Sequence, residues 1–267
     1  MSTVTTTPLT LDLSGTKPVP FSRLVKVELR KSYDTRAGFW LLASMGILTL
    51  IVYTVMLLVV AFGSDQEFSF GEFVGGAAFG TAVLLPVMAI LLVTSEWSQR
   101  TAITSFTLET NRGRLLLAKL VTGLLLTFAV AIFAVVAGAG ANLINAAIAG
   151  PVSWEFGWNY FFGFLATQSL AMLGGFALAT LLLNSPAAIV AFFVYKWVVP
   201  TIFMIVGNIA SGFKDVLPWI DFQTAQAPLG EMKMHGSDYS HLLVTGVVWL
   251  VIPFAFGLWR VLRAEVK

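Results

Sequence analysis

The sequence predicts an all-α integral membrane protein: six transmembrane helices, an N-terminal cytoplasmic amphipathic interfacial helix, and short outer re-entrant helices before the last span. Three observations carry that expectation. The chain of 267 residues is 57% hydrophobic and 11% charged, with a mean hydropathy of +0.85, where a soluble domain carries about 25% charged residues. Apolar runs of about 20 residues recur, each long enough at about 1.5 Å per residue to cross a hydrocarbon core of roughly 30 Å. Apolar residues are continuous inside these runs and do not alternate, which excludes a membrane β-barrel.

Residues 1–20, "MSTVTTTPLTLDLSGTKPVP", are polar and lack the apolar core of a signal peptide; they read as a disordered cytoplasmic tail. Residues 21–267 read as one transmembrane domain. Within it, 21–37 is expected to be an amphipathic helix: Phe21, Val25, Leu29 and Tyr33 recur at intervals of four beside Leu24, while Arg23, Lys26, Arg30 and Lys31 fall mainly elsewhere around the wheel. Ser22 is placed to cap it after Pro20. Such a helix lies along a membrane surface with its cations on anionic lipid.

Spans follow at about 39–62, 73–94, 115–141, 160–183, 187–206 and 242–258. Thirteen of the 16 Lys and Arg fall before the first span, between the second and third or in the first turns of the third, or after the sixth, leaving Lys214 and Lys233 opposite and Lys196 well inside a span. The positive-inside rule then puts both termini in the cytoplasm, and the composition suits a multi-pass plasma-membrane protein. The other face is acidic. Its largest piece, 207–240, contains "GFKDVLPWIDF", too apolar for a free linker, so short helices dipping into the outer leaflet are expected there, with Trp219 at headgroup depth.

Inside the spans, polar groups need partners. Lys196 lies about ten residues into the fifth span, where a lone lysine costs roughly 2.5–3.5 kcal/mol. Gln168 in the fourth span, a water-filled cavity or snorkelling could offset that, and Pro200 frees the carbonyl of Lys196 and permits a bend. Lys196, Gln168 and Pro200 are therefore candidates for a translocation path or a contact between two copies. Asn142 and Asn145, at i and i+3, suggest helix–helix hydrogen bonds. The glycines at 71, 75, 76 and 80 suggest close helix packing.

Several chemistries are excluded by composition. No cysteine is present, so no disulfide, thiolate nucleophile or cysteine metal site exists. Nucleic-acid binding is not suggested. The two histidines, His235 and His241, stand with Asp238 near the outer surface without a metalloprotease or hydrolase motif. No G-x-x-x-x-G-K-[ST] loop occurs, so the chain cannot cradle ATP in the usual way. An enzyme is not expected, and no cofactor or metal is expected on this chain.

The charged island 96–114 between the second and third spans is longer than a loop needs to be. It holds Glu96, Ser98, Arg100, Glu109, Arg112 and Arg114 among hydroxyl side chains, with Ser98 placed to cap a short helix and Arg100 one turn from Glu96. "SEWSQRTAITSFTLETNRGRLLLAKL" resembles the segment after the second span in permeases of the type-2 ATP-binding-cassette family, and "RLVKVELRKSYDTRAGFWLL" is similar to the stretch before the first span, notably in actinobacterial members. The order of interfacial helix, six spans and long outer segment matches throughout. The resemblance implies a coupling helix over about 98–109, presenting Ser98, Arg100, Thr101, Thr104, Phe106 and Glu109 to a separate ATPase subunit that holds ATP and Mg. It further implies that Glu96 and Arg100 position the entry, that Arg112, Arg114 and Lys119 fix the exit at lipid headgroups, and that two permeases pair to export an amphipathic drug, lipid or peptide. An ATP-independent scaffold or secondary carrier is the alternative.

Overall fold

A computed structural model describes residues 19–63, 67–98, 111–210, 212–230 and 232–263. Among these, every regular element is helical, and six helical stretches are long and apolar enough to cross a membrane: Arg36–Phe62, Phe70–Ser98, Arg112–Ala149, Trp158–Leu182, Ser185–Ile209 and Asp238–Arg263. The architecture is that of a multi-pass membrane protein. The expected coupling positions Arg100, Thr101, Thr104, Phe106 and Glu109 lie outside the described residues.

Helix α1 (Phe21–Asp34) precedes the first span, α2 (Arg36–Phe62). No side chain caps α1, whose N-cap is Pro20, so Ser22 does not take the role expected of it. The buried face also differs from the interval-of-four reading. An α-helix turns about 100° per residue, so three steps of four drift by about 120°, and Tyr33 is 51% exposed. The inward line runs instead through Val25, Glu28 and Ser32. A sharp elbow joins α1 to α2. Thr35 caps α2 by accepting from the Gly38 amide at 3.1 Å, and a Cβ on Gly38 would collide with the Ser32 carbonyl, so glycine permits the close return.

The second span is α3 (Phe70–Gly76) continued by α4 (Ala78–Ser98). Ser69 and Glu72 form a reciprocal capping box at its start. This span is the hub of the bundle: 61% of its apolar window is buried, against 6% in the fifth span and 11% in the sixth. Backbones approach closely where Gly175 of the fourth span meets Pro86 inside α4. Gly76 and Gly80 pack on Val52, Met56 and Leu48 of the first span, which places their small faces inside one chain.

The third span, α5 (Arg112–Ala149), has 38 residues, about 57 Å at the usual rise, and so extends well past the expected limit at 141. Asn142 and Asn145, near its far end, do not bond other helices. Their amides donate to the carbonyls of Ser153 and Phe68, tying down two connecting segments. The fourth span is α6 (Trp158–Leu182); the fifth is α7 (Ser185–Phe193), a π turn (Val194–Val198) and α8 (Val199–Ile209). Two short helices, α9 (Phe213–Ile220) and α10 (Phe222–Gly230), precede the sixth span, which comprises α11 (Asp238–Gly246), a second π turn (Val247–Val251) and α12 (Ile252–Arg263). Two hydrophobic cores stack along the bundle. One centres on Leu85, Ile90, Met172 and Phe176, the other on Tyr53, Phe73, Val74 and Phe164.

Candidate functional site

The end of the bundle that carries α1, Ser98, Asn111 and Arg263 is the basic end. There the sequence places Glu28 on the inward face of α1, Lys31 one turn later, Glu96 in the last turn of α4, and Lys119 two turns into α5. The fold brings these four together. Lys119 Nζ donates to Glu28 Oε2 at 2.7 Å, to the Leu92 carbonyl at 2.9 Å, and pairs with Glu96 Oε1 at 3.1 Å. Lys31 Nζ donates to Glu28 Oε1 at 2.7 Å and to Glu96 Oε1 at 2.8 Å. Two cations and two carboxylates thus close a neutral quartet across α1, α4 and α5.

Burial sets what each member can do. The side chains of Glu28, Glu96 and Lys119 are 2%, 8% and 5% exposed, while that of Lys31 is 42% exposed. Burying an ion costs several kcal/mol, and only mutual attraction with well-placed hydrogen bonds offsets it. Burial works against the charge on Lys31, but Glu28 and Glu96 outweigh it and hold its pKa above the ordinary lysine value. The quartet therefore acts as a bolt between α1 and the second and third spans.

Further contacts tie in the remaining spans. The Thr94 hydroxyl donates to the Ile90 carbonyl at 2.8 Å, so in its 2.7 Å contact with Ser185 it is the serine that donates. Ser185 in turn accepts from Ser98 at 2.9 Å, linking the second span to the start of the fifth. Asn111 caps α5 by accepting from the Arg114 amide. Arg112 donates to the Val261 carbonyl of the sixth span at 3.0 Å, and Arg114 to the Val19 carbonyl before α1 at 2.8 Å. The two residues flanking segment 99–110, Ser98 and Asn111, thus stand among bonds that reach α1, the fifth span and the sixth.

Several expectations are corrected here. Lys119 does not sit at lipid headgroups; it is buried, because Glu28 and Glu96 supply the anions that headgroups would have offered. Lys31 turns inward for the same reason. Arg23 and Lys26 are exposed, and Arg30 pairs with exposed Asp34. Glu28 and Ser185 went unread in the sequence. An acidic residue centred on an otherwise apolar face of α1, and a lysine inside the run "LLLAKLVTGLLL", are the signals that could have found the pair.

In the other half, Lys196 meets Gln223 and not Gln168. Its Nζ donates to Gln223 Oε1 at 3.0 Å, an oxygen that also accepts from Gln226 at 2.8 Å. Asp221 caps α10 by accepting from the amides of Gln223 and Thr224, both at 3.1 Å. Gln168 donates to Thr81 at 2.9 Å, well inside the bundle. Pro200 has no amide proton to give the carbonyl of Lys196, and the chain there takes a π turn, with the Val199 amide bonded to the Val194 carbonyl. The second π turn lies alongside: Tyr195 and Trp249 rings are 5.1 Å apart, and Trp249 Nε1 donates to the Ile220 carbonyl at 2.8 Å. Trp249 thus ties the sixth span to α9.

Among the described residues no group of three His, Asp or Glu is placed to hold a metal ion; the His235 amide instead donates to the Asp238 carboxylate, and His241 packs edge-on against Trp219. No known family model matches the chain, and no curated protein matches it in a sequence search.

Proposed function

We propose that this chain is the transmembrane permease subunit of an ATP-driven exporter of the ATP-binding-cassette class, moving an amphipathic drug, lipid or peptide outward across the plasma membrane. It works with a second permease, identical or paralogous, and with a separate ATPase subunit that binds ATP and Mg. On this reading both termini are cytoplasmic, α1 lies along the inner membrane surface, α9 and α10 re-enter the outer leaflet, and the segment 99–110 is the handle on which the ATPase pushes. The chain itself catalyses nothing.

One observation supports this reading above the others: both flanks of 99–110 are tied to the rest of the basic end. A displacement delivered there passes through Glu96 and Lys119 to α1, through Ser98 to the fifth span, and through Arg112 to the sixth. A loop with no mechanical role has no need of such bonds, each of which costs desolvation and side-chain entropy.

The test is purification from the native host with any associated ATPase. A co-purifying, vanadate-sensitive ATPase is expected, whose turnover collapses when residues 101–106 are replaced by Gly-Ser repeats. Assembly and turnover unchanged by that replacement would refute the coupling role. Transport that persists without any nucleotide would favour a scaffold or secondary carrier.

A further inference from the structure

Beside the quartet lies a cavity of about 460 Å³ bounded by α1, the elbow into α2, one face of α4 and the start of α7. It is large enough for a substantial part of a small amphiphile. Its lining from α4 is graded along the helix axis: Ser95 near the basic end, then Leu91 and Met88 up to about 10 Å deeper in the bundle. Polar lining therefore sits where headgroups lie, and apolar lining where acyl chains begin.

Which charge the cavity selects follows from donor accounting. Lys31 has three N–H protons and gives two of them to Glu28 and Glu96. The hydroxyl of Ser95 has no protein partner among the described residues. The other hydroxyls are committed: Ser32 donates to the Glu28 carbonyl, Thr35 to the Lys31 carbonyl, Ser185 to Thr94, and Ser98 to Ser185. Two donors remain, one of them cationic. The carboxylates stand behind, 2% and 8% exposed against 42% for Lys31, so an entering molecule meets the ammonium first.

We infer that this cavity binds an anionic, phosphate-bearing phospholipid of the adjoining leaflet, its phosphate oxygens accepting from Lys31 Nζ and Ser95 Oγ and its first acyl carbons lying on Leu91 and Met88. The site does not depend on the proposed export function. Because Lys31 is shared, a bound phosphate draws it partly from Glu96, so lipid composition bears on how firmly α1 is bolted to the second span. Burial works against the charge on Lys31, but the two adjacent carboxylates outweigh it and keep the lysine charged for this role.

The experiment uses the purified full-length chain, with its partners if they co-purify, exposed to dioleoyl phosphatidylglycerol or dioleoyl phosphatidylcholine and read by native mass spectrometry. Surface cations such as Arg23 and Lys26 also attract anionic lipid, so the decisive quantity is the difference between variants. Wild type is expected to retain one phosphatidylglycerol more tightly than phosphatidylcholine by about tenfold, since both carry the phosphate but only phosphatidylcholine sets a choline cation near Lys31. Leu91→Trp, which fills the cavity, and Ser95→Asp, which sets an anion against the phosphate, both abolish that preference and leave the quartet intact. Circular dichroism verifies that the variants are folded, and should Leu91→Trp fail to fold, Ser95→Asp decides alone. Retention in both variants equal to wild type would overturn the site. Displacement of the lipid by an equal concentration of inorganic phosphate would overturn the lipid assignment in favour of a free-anion site.

Discussion

Two lysines inside this protein meet opposite fates. Lys119 lies at the basic end between two carboxylates and is almost wholly buried. Lys196 lies in the fifth span and is held by one neutral amide oxygen of Gln223. The first is offset charge for charge, and every proton it has is placed. The second keeps part of its surface exposed and rests on a dipole. A buried ion survives when an opposite ion shares its burial, whereas a half-buried one needs only an acceptor. The first arrangement joins helices rigidly; the second holds the short helices α9 and α10 against two π turns, which occur most often at functional positions.

Breaking the quartet is expected to have the largest effect. Lys119→Met removes a cation that the two buried carboxylates share and should cost about 3–5 kcal/mol, read by thermal or denaturant unfolding in detergent. Glu28→Gln combined with Lys119→Met removes one carboxylate with its cation and should recover much of that loss, a double-mutant cycle that measures the coupling. Equal losses in the single and double variants would mean that the four charges do not act together.

At Lys196 the effect should be smaller and the order of severity reversed. Gln223→Leu strands the ammonium without its acceptor and should cost about 1.5–3 kcal/mol. Lys196→Met should cost less, since it removes the charge that needed a partner and leaves Gln223 with the Gln226 bond. If Lys196→Met proves the more damaging, the lysine has a charged partner that its bond to Gln223 does not represent.

The smallest effect concerns pH. Lys31 is held above its ordinary value of 10.5 by Glu28 and Glu96 against the opposing effect of burial. A raised pKa contributes stability that is whole below the unfolded value and is lost as pH rises through the folded one. Wild-type stability should therefore fall more steeply above about pH 10.5 than that of Lys31→Met, with the slope read from melting temperatures across that window. Water reaches this side chain and screens it, so the difference is modest.

Much of this was legible in the sequence. Continuous apolar runs fix six membrane-crossing helices, because lipid leaves backbone polar groups no partner outside their own helix. The Pro200 break and the need of Lys196 for a partner were equally readable, since both follow from local covalent chemistry. What could not be read is who meets whom. Gln168 stood at the right depth for Lys196, yet it faces Thr81, while Gln223 arrives from a segment 27 positions along the chain. Likewise Glu28 and Lys119 are separated by 91 positions and belong to helices whose rotation about their own axes no sequence period fixes. Hydropathy depends on each residue's own transfer free energy and so survives without a fold, but pairing of buried charges depends on distances that exist only after the helices have packed.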